Sequence, residues 1–222
     1  MRKLVLLFAF ILLGVSANAE EIITQETPTL NEETVNEIID QPSPITLTGG
    51  TVFNWVDITQ VERDEQIQQY KEILFGDKIQ TFKKKEFKEK YEEFLKDKNW
   101  KEHYRLAKLG IKETPQANIC AFFFKKDILL IYAIQYKENP RLIYYYNAYG
   151  SLQYVDEISE NYPNFPYTSK QYRRNGKLVS AIYFTSHDTQ YMYGPDGEFT
   201  GLWHKEKMFD KNGKQKVTRT NW

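Results

Sequence analysis

Tyr146-Asn147-Ala148-Tyr149-Gly150-Ser151-Leu152, Tyr172-Arg173-Arg174-Asn175-Gly176-Lys177-Leu178 and Tyr193-Gly194-Pro195-Asp196-Gly197-Glu198-Phe199 share one pattern. Each has an aromatic residue, three residues, glycine, one residue, then an apolar residue. Phe209-Asp210-Lys211-Asn212-Gly213-Lys214-Gln215 is a weaker copy. Asn175, Asp196 and Asn212 directly precede the glycine. Asn-Gly and Asp-Gly are strong hairpin signals, because tight primed turns need positive φ. The pattern therefore predicts four hairpins with structural turns at Gly150, Gly176, Gly197 and Gly213. The aromatic before each turn is placed to pack across the strands on the residue after it. The glycine spacings of 26, 21 and 16 residues shorten along the chain. Unequal hairpins in one twisted sheet fit this better than a strict solenoid.

Upstream of the first copy the chain also reads as strand. Asn118 to Phe124, Ile128 to Tyr136 and Arg141 to Tyr146 are strand-like runs, the last two parted by the turn signal Lys137-Glu138-Asn139-Pro140. Ile128 to Ile134 is almost continuously apolar, which predicts a strand covered on both faces. Thirteen of the 16 Tyr lie between Ala121 and Trp222. Before this region the period is helical. Ile67, Tyr70, Ile73 and Leu74 share one face, with Gly76 as a stop. Phe87, Tyr91, Phe94 and Leu95 share another. A third helix starts at Asn99, read as an N-cap with Glu102 three residues on, and ends at Gly110. The fold class is α+β. A small helical layer, about residues 61–109, precedes a Tyr-rich antiparallel meander sheet or open barrel, about residues 118–218.

The chain has 222 residues and equal numbers of basic and acidic ones, 30 each. That balance argues against a nucleic-acid partner. Residues 1–19 read as a secretory signal peptide: Arg2 and Lys3, the apolar run Leu4 to Val15, then Ala17-Asn18-Ala19 with cleavage after Ala19. No other stretch is long and apolar enough to span a membrane, so no transmembrane segment is expected after cleavage. Periplasmic or secreted localisation follows. Residues 20–43 read as a disordered acidic leader. Ile45 to Thr48 and Thr51 to Trp55 alternate around Gly49-Gly50 as a short hairpin. Residues 44–114 thus form a hairpin plus helical region, and 115–222 the hairpin-repeat region.

The repeat, over about Tyr144 to Val217, resembles bacterial MORN-type repeats in the variant found in antitoxin-like tandem hairpin proteins. The resemblance rests on the Tyr-to-Gly spacing and the Asn-Gly and Asp-Gly turns. The chain departs from that pattern in its irregular spacing and in lacking a regular second glycine, which only Gly201 approximates. Tyr191 to Trp203 also resembles one unit of the aromatic repeats of choline-binding proteins. That likeness implies an aromatic cage for a quaternary ammonium, with Tyr191, Tyr193, Trp203 and His204 as binding residues.

Chemistry-bearing residues are sparse. His103, His187 and His204 are the only histidines, and no elbow, zincin, P-loop or C-x-x-C motif occurs. Thr185-Ser186-His187-Asp188 is not read as a triad, since neighbours on a strand point to opposite faces. No cofactor or metal is expected. Cys120, the single cysteine, lies in an apolar run and reads as a buried, inert thiol. The basic run Lys83-Lys84-Lys85, Lys88 and Lys90 interleaves with Glu86, Glu89, Glu92 and Glu93, the spacing of a solvated helix face. These features predict an exported, non-catalytic binding or interaction module of the bacterial envelope that presents a Tyr-rich sheet to an envelope protein or cell-wall glycan. The alternatives are a periplasmic hydrolase acting on cell-wall glycan or peptide, and an aromatic-cage cell-wall-binding protein.

Overall fold

The computed structural model describes residues 45–47, 60–76, 81–124 and 128–219. The signal peptide, the acidic leader and the Thr51 to Trp55 half of the first hairpin lie outside the described residues. Helices α1 (Gln60–Phe75), α2 (Lys84–Tyr91) and α3 (Trp100–Lys108) precede the sheet, with a single 3-10 turn at Glu92–Phe94. Strand β1 (Ile45–Leu47) stands apart in sequence. Ten strands then follow in a meander: β2 (Ala117–Phe124), β3 (Ile128–Tyr136), β4 (Leu142–Asn147), β5 (Leu152–Ile158), β6 (Tyr167–Arg173), β7 (Leu178–Phe184), β8 (Thr189–Tyr193), β9 (Phe199–His204), β10 (Lys207–Asp210) and β11 (Gln215–Arg219).

All neighbours are antiparallel, in the order β1-β11-β10 and so on down to β2. The two end strands, β1 and β2, do not pair, so the sheet is open. The chain crosses this sheet twice. It starts at the β11 edge with β1, lays α1 over β7 and β8, sets Phe82 against β6 and α2 against β4, and lays α3 over β2 and β3. The meander then returns strand by strand to the starting edge. Among the described residues no helix is long and apolar enough to cross a membrane.

The four glycine repeats are four hairpins with one geometry. Tyr146 faces Leu152, Tyr172 faces Leu178, Tyr193 faces Phe199 and Phe209 faces Gln215. Each hairpin carries a register shift beside that pair. The turns correct one expectation. The glycines have φ of 71°, 86°, 79° and 77°, whereas Asn175, Asp196 and Asn212 do not have positive φ. A primed two-residue turn would need it at both central positions. Instead the glycine N–H donates back three residues, Gly176 to the Arg173 carbonyl at 2.8 Å, and Arg173 N–H donates to the Lys177 carbonyl at 2.9 Å. This is a type I turn closed by a left-handed glycine bulge. The Asn or Asp side chain serves it as an acceptor, as Asn175 Oδ1 does for Lys177 N–H at 3.1 Å.

Both faces of the sheet are buried. One carries Tyr132, Tyr144, Tyr146, Val155, Tyr172 and Tyr193 against Leu74, Phe87, Tyr91 and Ala107 of the helices. The other carries Ile143, Tyr145, Ile158, Ile182, Phe184, Met192 and Trp203, and among the described residues no helical one joins it. Trp203 and Phe184 are nonetheless 0% exposed. Tyr162, from the loop between β5 and β6, packs onto this face. Of the described Tyr only Tyr149 is highly exposed, at 75%. The expected Tyr-rich presented face is thus a pair of Tyr-rich cores.

Candidate functional site

The four binding residues expected from sequence do not converge. Tyr193 is fully buried and donates from its hydroxyl to the Ile67 carbonyl at 2.7 Å, beneath α1. Tyr191 lies beside it, with its ring against Tyr70 at 4.8 Å. Trp203 points to the opposite face, in the other core. His204 Nδ1 meets Thr189 Oγ1 at 3.1 Å across the strand pair. An aromatic cage needs rings that share one open face, and these do not. Gly150, Gly176 and Gly197 do carry a role beyond the turn. A Cβ at Gly150 would lie 2.3 Å from Trp100 Cβ, at Gly176 2.5 Å from the Phe82 carbonyl oxygen, and at Gly197 3.0 Å from Lys71 Cε. Three successive turns thus seat the three helices or their approaches.

Residues 185–188 are a loop between β7 and β8, not strand. His187 Nδ1 meets Asp188 Oδ1 at 3.2 Å, while Ser186 Oγ accepts the Asp188 and Thr189 N–H groups. The serine is a turn cap. Among the described residues no group of three or more His, Cys, Asp or Glu is placed to hold a metal ion. Burial pushes the Cys120 thiol up to about 12, so it carries almost no thiolate at neutral pH. Lys85 with Glu89 and Lys88 with Glu92 form exposed pairs one helical turn apart.

Three polar centres emerge that the sequence did not reveal. The first is Asp97, buried beneath the start of α3. Its Oδ1 accepts the Asn99 N–H at 2.9 Å, and its Oδ2 receives His103 Nδ1 at 2.7 Å and the Tyr132 hydroxyl at 3.1 Å. Its backbone N–H donates to the Gly150 carbonyl and its carbonyl accepts from Trp100 N–H. Asn99, expected to cap α3, makes no side-chain cap bond. The aspartate two residues earlier organises that end instead. Beside it a cleft of about 160 Å³ opens against Phe94, Tyr136 and Tyr146.

The second centre is Glu157, which receives both the Lys90 ammonium and the Tyr91 hydroxyl beneath α2. The third is Asp156, fully buried on the face that carries Trp203. It accepts from the Tyr145 hydroxyl at 2.7 Å and from the Gln171 amide at 2.8 Å. Burial without a cation raises its carboxyl to about 7, against the lowering effect of those two bonds. Burial and the facing carboxylate in turn hold the Tyr145 hydroxyl far above its ordinary value.

The edges of the sheet form the remaining candidate. Among the described residues no strand pairs with the outer side of β2, which meets only a one-residue antiparallel bridge between Glu113 and Asn118. The segment after α3 covers its beginning, through Ile119 N–H to the Lys112 carbonyl at 2.8 Å and Thr114 N–H to the Ala117 carbonyl at 2.8 Å. Backbone groups of an antiparallel strand alternate in direction. Ala121 therefore turns its N–H and C=O outward beyond that cover. No family, curated protein or solved structure matches the chain.

Proposed function

We propose that the chain is an exported, non-catalytic interaction module of the bacterial envelope, and that it captures an extended segment of a partner protein on the outer side of β2. The observation that carries this reading is the composition of that edge. Ala117-Asn118-Ile119-Cys120-Ala121-Phe122-Phe123-Phe124 contains no charged residue and no proline. Proteins blunt exposed sheet edges with those residues to prevent pairing with other chains. Here the edge is left able to pair, and Leu109, Ile111 and Ile128 stand exposed in the flanking segments. An added strand would gain main-chain hydrogen bonds from the edge and specificity from alternate side chains. The export part of the reading rests on residues 1–19.

The test uses Ala121→Pro. Proline is tolerated on an edge strand where the lost N–H faces outward, so the fold survives while the added strand loses a donor. The purified protein is immobilised and challenged with solubilised envelope fractions. A defined envelope protein should bind the wild type and be lost from Ala121→Pro at an unchanged thermal midpoint. Equal capture by both proteins, or self-association of this chain as the sole product, would overturn the reading.

A further inference from the structure

The cleft beside Asp97 is a second site, independent of the β2 edge. Its lining combines Tyr136 of β3, Tyr146 of β4 and the segment before α3. Tyr146 on β4 is 1% exposed and lines the cleft, yet its hydroxyl makes no hydrogen bond to the described residues. Its ring is held by stacking on Tyr132 at 5.5 Å, and Tyr132 is bonded to Asp97, so the hydroxyl is fixed in direction. Tyr136 on β3 contributes a second hydroxyl with no such bond. Asp97 Oδ2 is occupied twice, but Oδ1 receives only the Asn99 N–H. A carboxylate oxygen accepts about two bonds, so one acceptor position on Oδ1 remains.

The rim decides the ligand class. Lys96 and Lys98 stand with Glu93 around the opening, and Asp97 lies within it. Two positive and two negative groups leave the lining without net charge. An anion would meet Glu93 and Asp97, and a cation would meet the two lysines. An alcohol both donates and accepts, so a ligand bearing several hydroxyls answers carboxylate, ammonium and phenol together. Phe94 and Tyr136, whose rings lie 6.2 Å apart, add an apolar wall of the kind that the C–H face of a sugar ring covers. We propose that this cleft binds a neutral saccharide through the Tyr146 and Tyr136 hydroxyls and the free acceptor of Asp97.

The probe is the neutral trimer of N-acetylglucosamine, titrated into the purified protein and followed by backbone amide NMR. Sodium phosphate and calcium chloride serve as the anionic and cationic arms at matched ionic strength. Saturable shifts are expected at Asp97, Asn99 and Tyr146 with the trimer alone. Tyr146→Phe removes one hydrogen-bonding group that has no partner among the described residues, so its thermal midpoint should hold. Its affinity for the trimer should fall about three- to tenfold, the effect of one neutral hydrogen bond. Tyr136→Phe should weaken binding in the same direction, and Ala121→Pro should leave it unchanged. No saturable shift from the trimer, wild-type affinity for it in both Phe variants, or saturation of these amides by phosphate or calcium would overturn the proposal.

Discussion

Replacing Gly150 with alanine tests how the turns carry the helices. Gly150 has φ of +71°, and Gly110, just past α3, has the same φ of +71°. A side chain in that left-handed region costs about 1–2 kcal/mol at either position. The two sites differ in surroundings. A Cβ at Gly110 meets nothing within 4 Å, whereas at Gly150 it meets Trp100 Cβ at 2.3 Å and Cγ at 2.5 Å. Trp100 Cβ is bonded to the α3 backbone and cannot swing away by side-chain rotation. The helix start must lift, straining the Asp97 N–H bond to the Gly150 carbonyl at 2.9 Å and the Leu152 N–H bond to the Leu95 carbonyl at 3.2 Å. Overpacking of this kind costs about 1–3 kcal/mol. Gly150→Ala should therefore lose about 2–5 kcal/mol, and Gly110→Ala only the conformational part. Urea unfolding followed by far-ultraviolet circular dichroism measures both. If the two variants agree within about 0.5 kcal/mol, the turn does not seat the helix and the packing argument is wrong.

Other outcomes follow from the polar centres. Asp156 is raised from 3.8 to about 7, so its protonated form is the one the fold prefers. Its contribution is complete below about pH 4 and is lost as pH rises toward 7. Wild-type stability relative to Asp156→Asn should decline across that window by up to about 1.4 kcal/mol per pH unit, and parallel pH profiles would refute this. Asp97→Ala strands the His103 ring, the Tyr132 hydroxyl and the Asn99 N–H, and should cost about 3–5 kcal/mol by denaturation. Cys120 should resist alkylation in the native protein at pH 8 and react within minutes in urea; rapid native labelling would contradict its raised pKa.

The repeat was legible because its signal is local. Aromatic, turn and glycine sit within seven residues, and the same residues set register and bulge in every hairpin. The turn type was not legible, since Asn-Gly fits both a primed turn and the left-handed bulge observed at Gly176. The stripe of α2 was legible, but in α1 Ile73, expected on the core face with Ile67, Tyr70 and Leu74, is 51% exposed and Phe75 is buried beside Leu74. The third helix hid its cap. Asn99 occupies the expected position, yet the bonds at that end come from Asp97. The Asp97 centre itself draws on Tyr132, 35 residues away, and no spacing rule joins them. Tyrosine abundance marked where the sheet lies without marking its exposure. Whether a ring faces solvent depends on which face of the sheet it takes and on what packs over that face, as the helices do over Tyr144, Tyr172 and Tyr193. Both are tertiary facts.

The most direct measurement places a photo-reactive residue at Leu109, which is 64% exposed where the chain turns alongside β2. Illumination of intact cells expressing this variant traps whatever lies against the edge. The account predicts a discrete covalent adduct with an envelope protein, abolished when Ala121→Pro is added. An adduct that persists with Ala121→Pro, or no adduct in cells that export the protein, would contradict it.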